Sequence, residues 1–154
     1  MTTAEGRDAV PDVGGTTRPP ALAREALEVA GIASAAIFAA EPGPGEMILV
    51  GVAGIEGAAL GGLIAAVRDP RHPVRRAVTD PAATFNVAPM NPGGPALRSH
   101  LPLRQPGAEA TSPAVGVLAL AHGQPVVGEA RETLERLATA AATVIATAQQ
   151  KESR

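Results

Sequence analysis

Five cationic side chains crowd one short stretch of the chain: Arg68, Arg71, His72, Arg75 and Arg76. A guanidinium group is a planar fork of donors, so such a cluster can clamp a carboxylate or phosphate through paired hydrogen bonds. The competing reading is a solvated helix face whose charge is balanced by Glu56, Asp69 and Asp80. The three histidines, His72, His100 and His122, have ring nitrogens suited to a metal or haem iron. No pair of them has helical ligand spacing and no cysteine completes a set, so surface or hydrogen-bonded roles are expected and no metal site. Gly54, Gly57, Gly61 and Gly62 lack the Lys-Ser/Thr of a phosphate loop and do not fit a dinucleotide fingerprint. Their expected use is close packing of a helix on a sheet. Ser34, Ser99 and Ser112 have no nucleophile-elbow context, and no paired acid–base set stands out, so no catalytic residue is expected.

These residues need elements to position them. Residues 1–18 are rich in Gly, Thr, Asp and Pro without a period, and read as a disordered arm. Pro19-Pro20 opens a helix over Ala21–Ala30 that Gly31 ends. Ser34–Ala40 and Met47–Ala53 read as two strands of a hairpin around Glu41-Pro42-Gly43-Pro44-Gly45. Ala58–Val67 is an apolar helix that Asp69-Pro70 breaks, and His72–Thr79 is a second short helix with Pro73 in its first turn. Thr84–Val87 is a short strand, Ala88–Pro95 a loop. Along Leu97–Arg104 the residues Leu97, Ser99, Leu101 and Leu103 alternate with Arg98, His100, Pro102 and Arg104, and Pro102 predicts an edge position or a bulge. Ala114–Ala121 is apolar on both sides, as a buried central strand must be. The last helix, Glu129–Gln149, places Leu134, Leu137, Ala141, Val144, Ile145 and Ala148 on one stripe. Hairpin-joined strands with helices between them predict an α+β fold with an antiparallel sheet.

Composition narrows the function classes. The chain has 154 residues, which sets one domain as the prior. Its net charge of −2 and its two aromatic residues, Phe38 and Phe85, point away from nucleic acid. It has no cysteine, so disulfides, cysteine-ligated zinc and thiolate catalysis are excluded for this chain. Neither a signal peptide nor a membrane-length apolar run is recognisable, so a cytoplasmic protein without a membrane partner is expected.

Three segments carry a family resemblance. His72-Pro73-Val74-Arg75-Arg76-Ala77-Val78 is similar to a short His-Pro…Ala-Val helix of the GAF family. Ser99 through Pro102-Leu103 resembles that family's Ser…Pro-Leu strand. Gly116-Val117-Leu118-Ala119-Leu120-Ala121, with Leu134, Leu137 and Ala138 behind it, resembles its Gly-Val-Leu-Ala-Leu strand and closing helix. The last helix departs from the pattern, with Gly128 and Arg131 where the family has a cap and an acidic residue. The acidic-lysine motif of the cyclic-nucleotide-binding members is not recognisable.

The resemblance implies a GAF-like (PAS/profilin-like) central antiparallel sheet over residues 19–150, flanked by helices, with the first and last helices on one face and 151–154 as a tail. It implies a regulatory or sensor domain without enzymatic activity or cofactor. A small anionic ligand is expected between the sheet and residues 57–95, at His72, Arg75, Arg76, Phe85, Asn86 and Leu101, with Leu60 and Ile64 in the lining. It also implies a homodimer through residues 21–30 and 129–149, helped by the small surface of Ala138, Ala140, Ala142 and Ala146, and a separate signalling partner. The alternative is a ligand-free dimerisation or interaction module.

Overall fold

The computed structural model describes residues 18–29, 31–41, 46–80, 82–88, 97–109 and 112–152. The elements run α1 (Pro19–Leu27), β1 (Ile32–Ala40), β2 (Met47–Ala53), α2 (Gly57–Ala66), α3 (Pro73–Ala77), β3 (Thr84–Val87), β4 (Leu97–Leu103), β5 (Gly116–His122) and α4 (Gly128–Glu152). The five strands form one sheet in the order β2-β1-β5-β4-β3, and every neighbouring pair is antiparallel. Two apolar strands, β1 and β5, therefore occupy the middle. The β1–β2 hairpin is closed by Glu41 N–H donating to the Glu46 carbonyl at 2.8 Å. Pro102 lies on β4 beyond the point where β3 stops pairing, so its missing N–H faces no strand.

Strand alternation splits the core in two. Ala35, Ile37, Leu101, Leu103, Leu118 and Leu120 point to one face, where they meet Leu22, Ala23 and Ala26 of α1 and Leu134, Ala138, Ala141, Ala142 and Ile145 of α4. Ala36, Phe38 and Val117 point to the other face, where Val67 and the Val74 and Ala77 side chains of α3 cover them. The first layer is filled largely by Ala and Leu. Alanine removes little apolar area from water, so the α1 and α4 backbones must approach closely for the layer to pack without voids. In the centre of the sheet the approach is closest at Gly116, where a Cβ would run into the Phe38 carbonyl oxygen.

The expected element order and sheet type are present, with small shifts at the ends. The first helix starts at Pro19 because proline suits the first helical turn. The last helix runs through Lys151 to Glu152, into the segment read as a tail. The arm over residues 1–17 and the loop over 89–95 lie outside the described residues. One expectation about α4 needs correcting. Ala138, Ala142 and Ala146 are buried within the monomer, whereas Ala148, expected on the buried stripe, is exposed. The helix passes over α1 and the sheet with its alanines inward because only small side chains fit there.

Candidate functional site

On the face covered by α3, histidine and arginine side chains gather at the junction of that helix with β4. His72 precedes α3 in an extended conformation, and its Nδ1 accepts a hydrogen bond from Val74 N–H at 3.1 Å, capping the helix. This local bond and Pro73 set the start of α3. Burial holds the His72 ring below the usual imidazole range, with Asp69 opposing that shift. Arg71 does not join the cluster. Its N–H donates to Asp69 Oδ1 at 2.9 Å and its guanidinium lies 3.4 Å from the carboxylate, which keeps the Asp69 carboxyl below the usual carboxylate range. Both groups sit in solvent, so this pair adds little to stability. Arg75 is half-buried on α3, and Arg76 is exposed.

From the sheet, β4 sends His100 toward the same junction. The residue is 9% exposed, and its ring has no hydrogen-bond partner among the described residues. Burial pushes it down to about 4, reinforced by His72 and Arg98 and opposed by Asp80. Arg98 lies two residues earlier on the same side of the strand, half-buried, with Nη1 donating to the Leu97 carbonyl at 3.3 Å. Arg104 extends the row. Its Nη2 donates to the Asp80 carbonyl at 2.7 Å and to the Val78 carbonyl at 3.4 Å, and its Nε to the Ser112 carbonyl at 3.1 Å. It thereby ties the end of α3 to the segment entering β5. His72, Arg98 and His100 thus converge, with Asp80 as the acidic member. Sequence reasoning placed Arg98 and His100 opposite the leucines but missed their meeting with His72, because alternation does not tell which helix covers a face.

The other expected ligand residues lie on the opposite side of the sheet. Leu101 is 2% exposed within the α1/α4 core. Phe85 packs on that core, with the Arg131 guanidinium carbon 4.1 Å from its ring centre. Asn86 hydrogen-bonds the Val126 backbone. The six residues therefore form two groups, with His72, Arg75 and Arg76 on α3 and Phe85, Asn86 and Leu101 beneath α4. The period of two along β4 is the reason, since it sends His100 and Leu101 to opposite faces. The lining expected from Leu60, Ile64, Phe85 and Leu101 is not assembled either. No residue of α2 is buried, and Ile64 is 40% exposed.

Beneath α4 runs a chain of buried polar contacts. His122 Nδ1 lies 2.7 Å from the Gln124 carbonyl, which can only accept, so Nδ1 donates and Nε2 is left to accept from the Ser99 hydroxyl at 2.8 Å. Ser99 Oγ in turn accepts from Asn86 N–H at 3.1 Å. Both side chains are fully enclosed, so this Ser–His pair is a satisfied structural network with no path for a substrate.

No family model and no curated protein matches the chain. Solved structures do. The GAF-B domain of DevS from Mycobacterium smegmatis matches with a TM-score of 0.62 and 26% identity, over 88% of this chain and 95% of that one. The chain has a GAF-like fold. The GAF domain of an Acinetobacter phosphoenolpyruvate-protein phosphotransferase aligns with a TM-score of 0.65 at 15% identity, over 90% of this domain and 86% of that chain. The reduced form of fRMsr from Staphylococcus aureus aligns at 0.51 and 13%, over 80% of each.

The outer surface of the GAF-like domain carries an open groove of about 660 Å³ along α4, lined by Glu132, Glu135, Arg136, Thr139, Ala140 and Thr143. Among the described residues no group of three or more His, Asp or Glu is placed to hold a metal ion. No described helix is long and apolar enough to cross a membrane.

Proposed function

We propose that this GAF-like domain is a non-enzymatic, cytoplasmic sensor that binds a small anion at the α3–β4 junction. The observation that carries the reading is His100. A buried imidazole without a hydrogen-bond partner among the described residues is costly, and a ligand oxygen placed beside it removes the cost. Arg98, two residues earlier on the same face of β4, brings a forked donor that matches a carboxylate or phosphate, and half-buried Arg75 of α3 is the second donor in this reading. The likeness to the DevS GAF-B domain supports a regulatory role. The absence of cysteine in this chain takes away thiolate chemistry, which supports a non-enzymatic one. Binding then acts by population shift, favouring one arrangement of α3 and β4 that the terminal helices report. A thermal-shift screen of carboxylates and phosphates tests this. A true ligand at one hundred times its Kd stabilises the protein by about 2.7 kcal/mol, and the paired Arg75→Ala and Arg98→Ala changes abolish the shift. A hit that ignores both changes overturns the site.

One observation favours the second reading, an interaction module. The ten residues of α2, Gly-Ala-Ala-Leu-Gly-Gly-Leu-Ile-Ala-Ala, carry no charge, and none is fully buried, only Leu63 packing partly on the Phe38 layer. A homodimer through the terminal helices is also part of the proposal. Its α4 contribution would come from the outer face of that helix, because three of the four alanines expected there face inward. Sedimentation of the unliganded protein separates the readings: a module of this kind self-associates through α2 and Ile64→Glu disperses it, whereas the association of a sensor paired through its terminal helices is indifferent to that change.

A further inference from the structure

Three facts meet where α4 leaves the sheet. First, Asn86 grips the backbone of Val126 from both sides: Oδ1 accepts from Val126 N–H at 2.7 Å and Nδ2 donates to the Val126 carbonyl at 3.1 Å. Asn86 has φ +62°, the only non-glycine residue in the left-handed region among the described residues, and that conformation turns its amide toward α4. Second, the residues at the start of the helix bring no side-chain cap of their own. Val127 precedes it, 65% exposed and without a polar side-chain atom, and Gly128 begins it. Besides the packing of Ala130 and Leu134 on the core, β3 holds this end of α4, through Asn86 on Val126 just before the helix and Phe85 under Arg131. Third, β3 itself is short and irregularly paired. It is an edge strand that pairs with β4 at Thr84–His100 and Val87–Arg98, with a register break between. Both β4 partners belong to the α3-side cluster. The far end of α4 is anchored elsewhere, by Gln149 Nε2 donating to the Ala40 carbonyl at 2.8 Å.

We propose that the Asn86–Val126 clamp is a release device for the terminal helix: edge strand β3 holds the first turns of α4, and displacing β3 from β4 frees them. A change at His100 or Arg98 on one face then alters the helix on the other, because these residues are the backbone partners of β3. The identity of the trigger rests on the anion site proposed above. The device does not, so its test uses unliganded protein.

Hydrogen exchange read by mass spectrometry compares the parent chain with Asn86→Gly. Glycine accepts φ +62° and removes only the clamp. Amides over residues 127–134 are expected to exchange about tenfold faster, as loss of the paired bonds implies, while β1, β5 and residues 145–150 keep their protection. Unchanged exchange over 127–134 overturns the proposal. So does a uniform rise in all elements, which makes the clamp an ordinary contributor to global stability. Asn86→Asp is the second variant, because it keeps the acceptor and loses the donor. It is expected to produce a smaller rise in the same segment, and no rise again counts against the device. The chain has no cysteine, so labels at Glu46→Cys and Glu135→Cys report the same event independently. The distance distribution between them broadens in Asn86→Gly if the helix is released, and stays sharp if it is not.

Discussion

Between pH 7 and pH 4 the folded domain is expected to lose about 3 kcal/mol through one residue, His100. Its folded-state value is about 4, against an ordinary 6.5. The unfolded chain therefore takes up a proton that the folded chain refuses. The contribution is intact above pH 6.5, falls as the pH drops through the window between the two values, and levels off below 4. Burial beneath α3 is the first cause, and the neighbouring charges of His72 and Arg98 outweigh the attraction of Asp80. At 9% exposure solvent screens little of this. Urea denaturation at a series of pH values, on the parent chain and on His100→Gln, isolates the effect. Carboxylate titrations are common to both proteins and cancel. The gap between the two stability profiles is expected to change by about 3 kcal/mol from pH 7 to pH 4, and parallel profiles would refute the assignment.

Gly116→Ala is expected to cost about 3 kcal/mol or more, lowering the melting temperature by roughly 10 °C. The new methyl would press into the Phe38 carbonyl oxygen and stand 3.2 Å from Leu103 Cδ1. Neither neighbour can yield easily. Phe38 belongs to β1, which is paired on both sides, and Leu103 is fully buried in the α1/α4 layer. Relief requires parting the two central strands. Gly123→Ala is the control, since a Cβ there meets nothing within 4 Å and is expected to stay within about 0.5 kcal/mol of the parent. Equal losses at the two positions would mean that the contact at Gly116 is not the cause.

The elements were legible in the sequence because their signals are local. Proline and glycine mark nearly every boundary, and the alternation along Leu97–Arg104 sorted Ser99 and the leucines from His100 and Arg98 correctly. What was hidden is non-local. Asn86 acquires its role from Val126, forty positions away in the chain, and no spacing rule reaches that far. The alanines of α4 look alike whether they meet a second molecule or their own sheet, so Ala138, Ala142 and Ala146 carried no mark of their inward orientation. The expected ligand pocket mixed residues from both faces for the same reason. The chain shows which residues share a side of β4, but only the folded domain shows that α3 covers one side and α4 the other.

The strand order leaves one rim of β2 without a partner among the described residues. Its seven residues, Met47–Ala53, contain neither a charge nor a proline, and Ile48 is 43% exposed. Natural sheets usually guard such rims with lysine, proline or a bulge that discourages stacking. Here the guards are the register break at Val50 and the α1 helix lying over one side of the strand. Without that helix, an uncharged ribbon would be left open to pairing with a second copy.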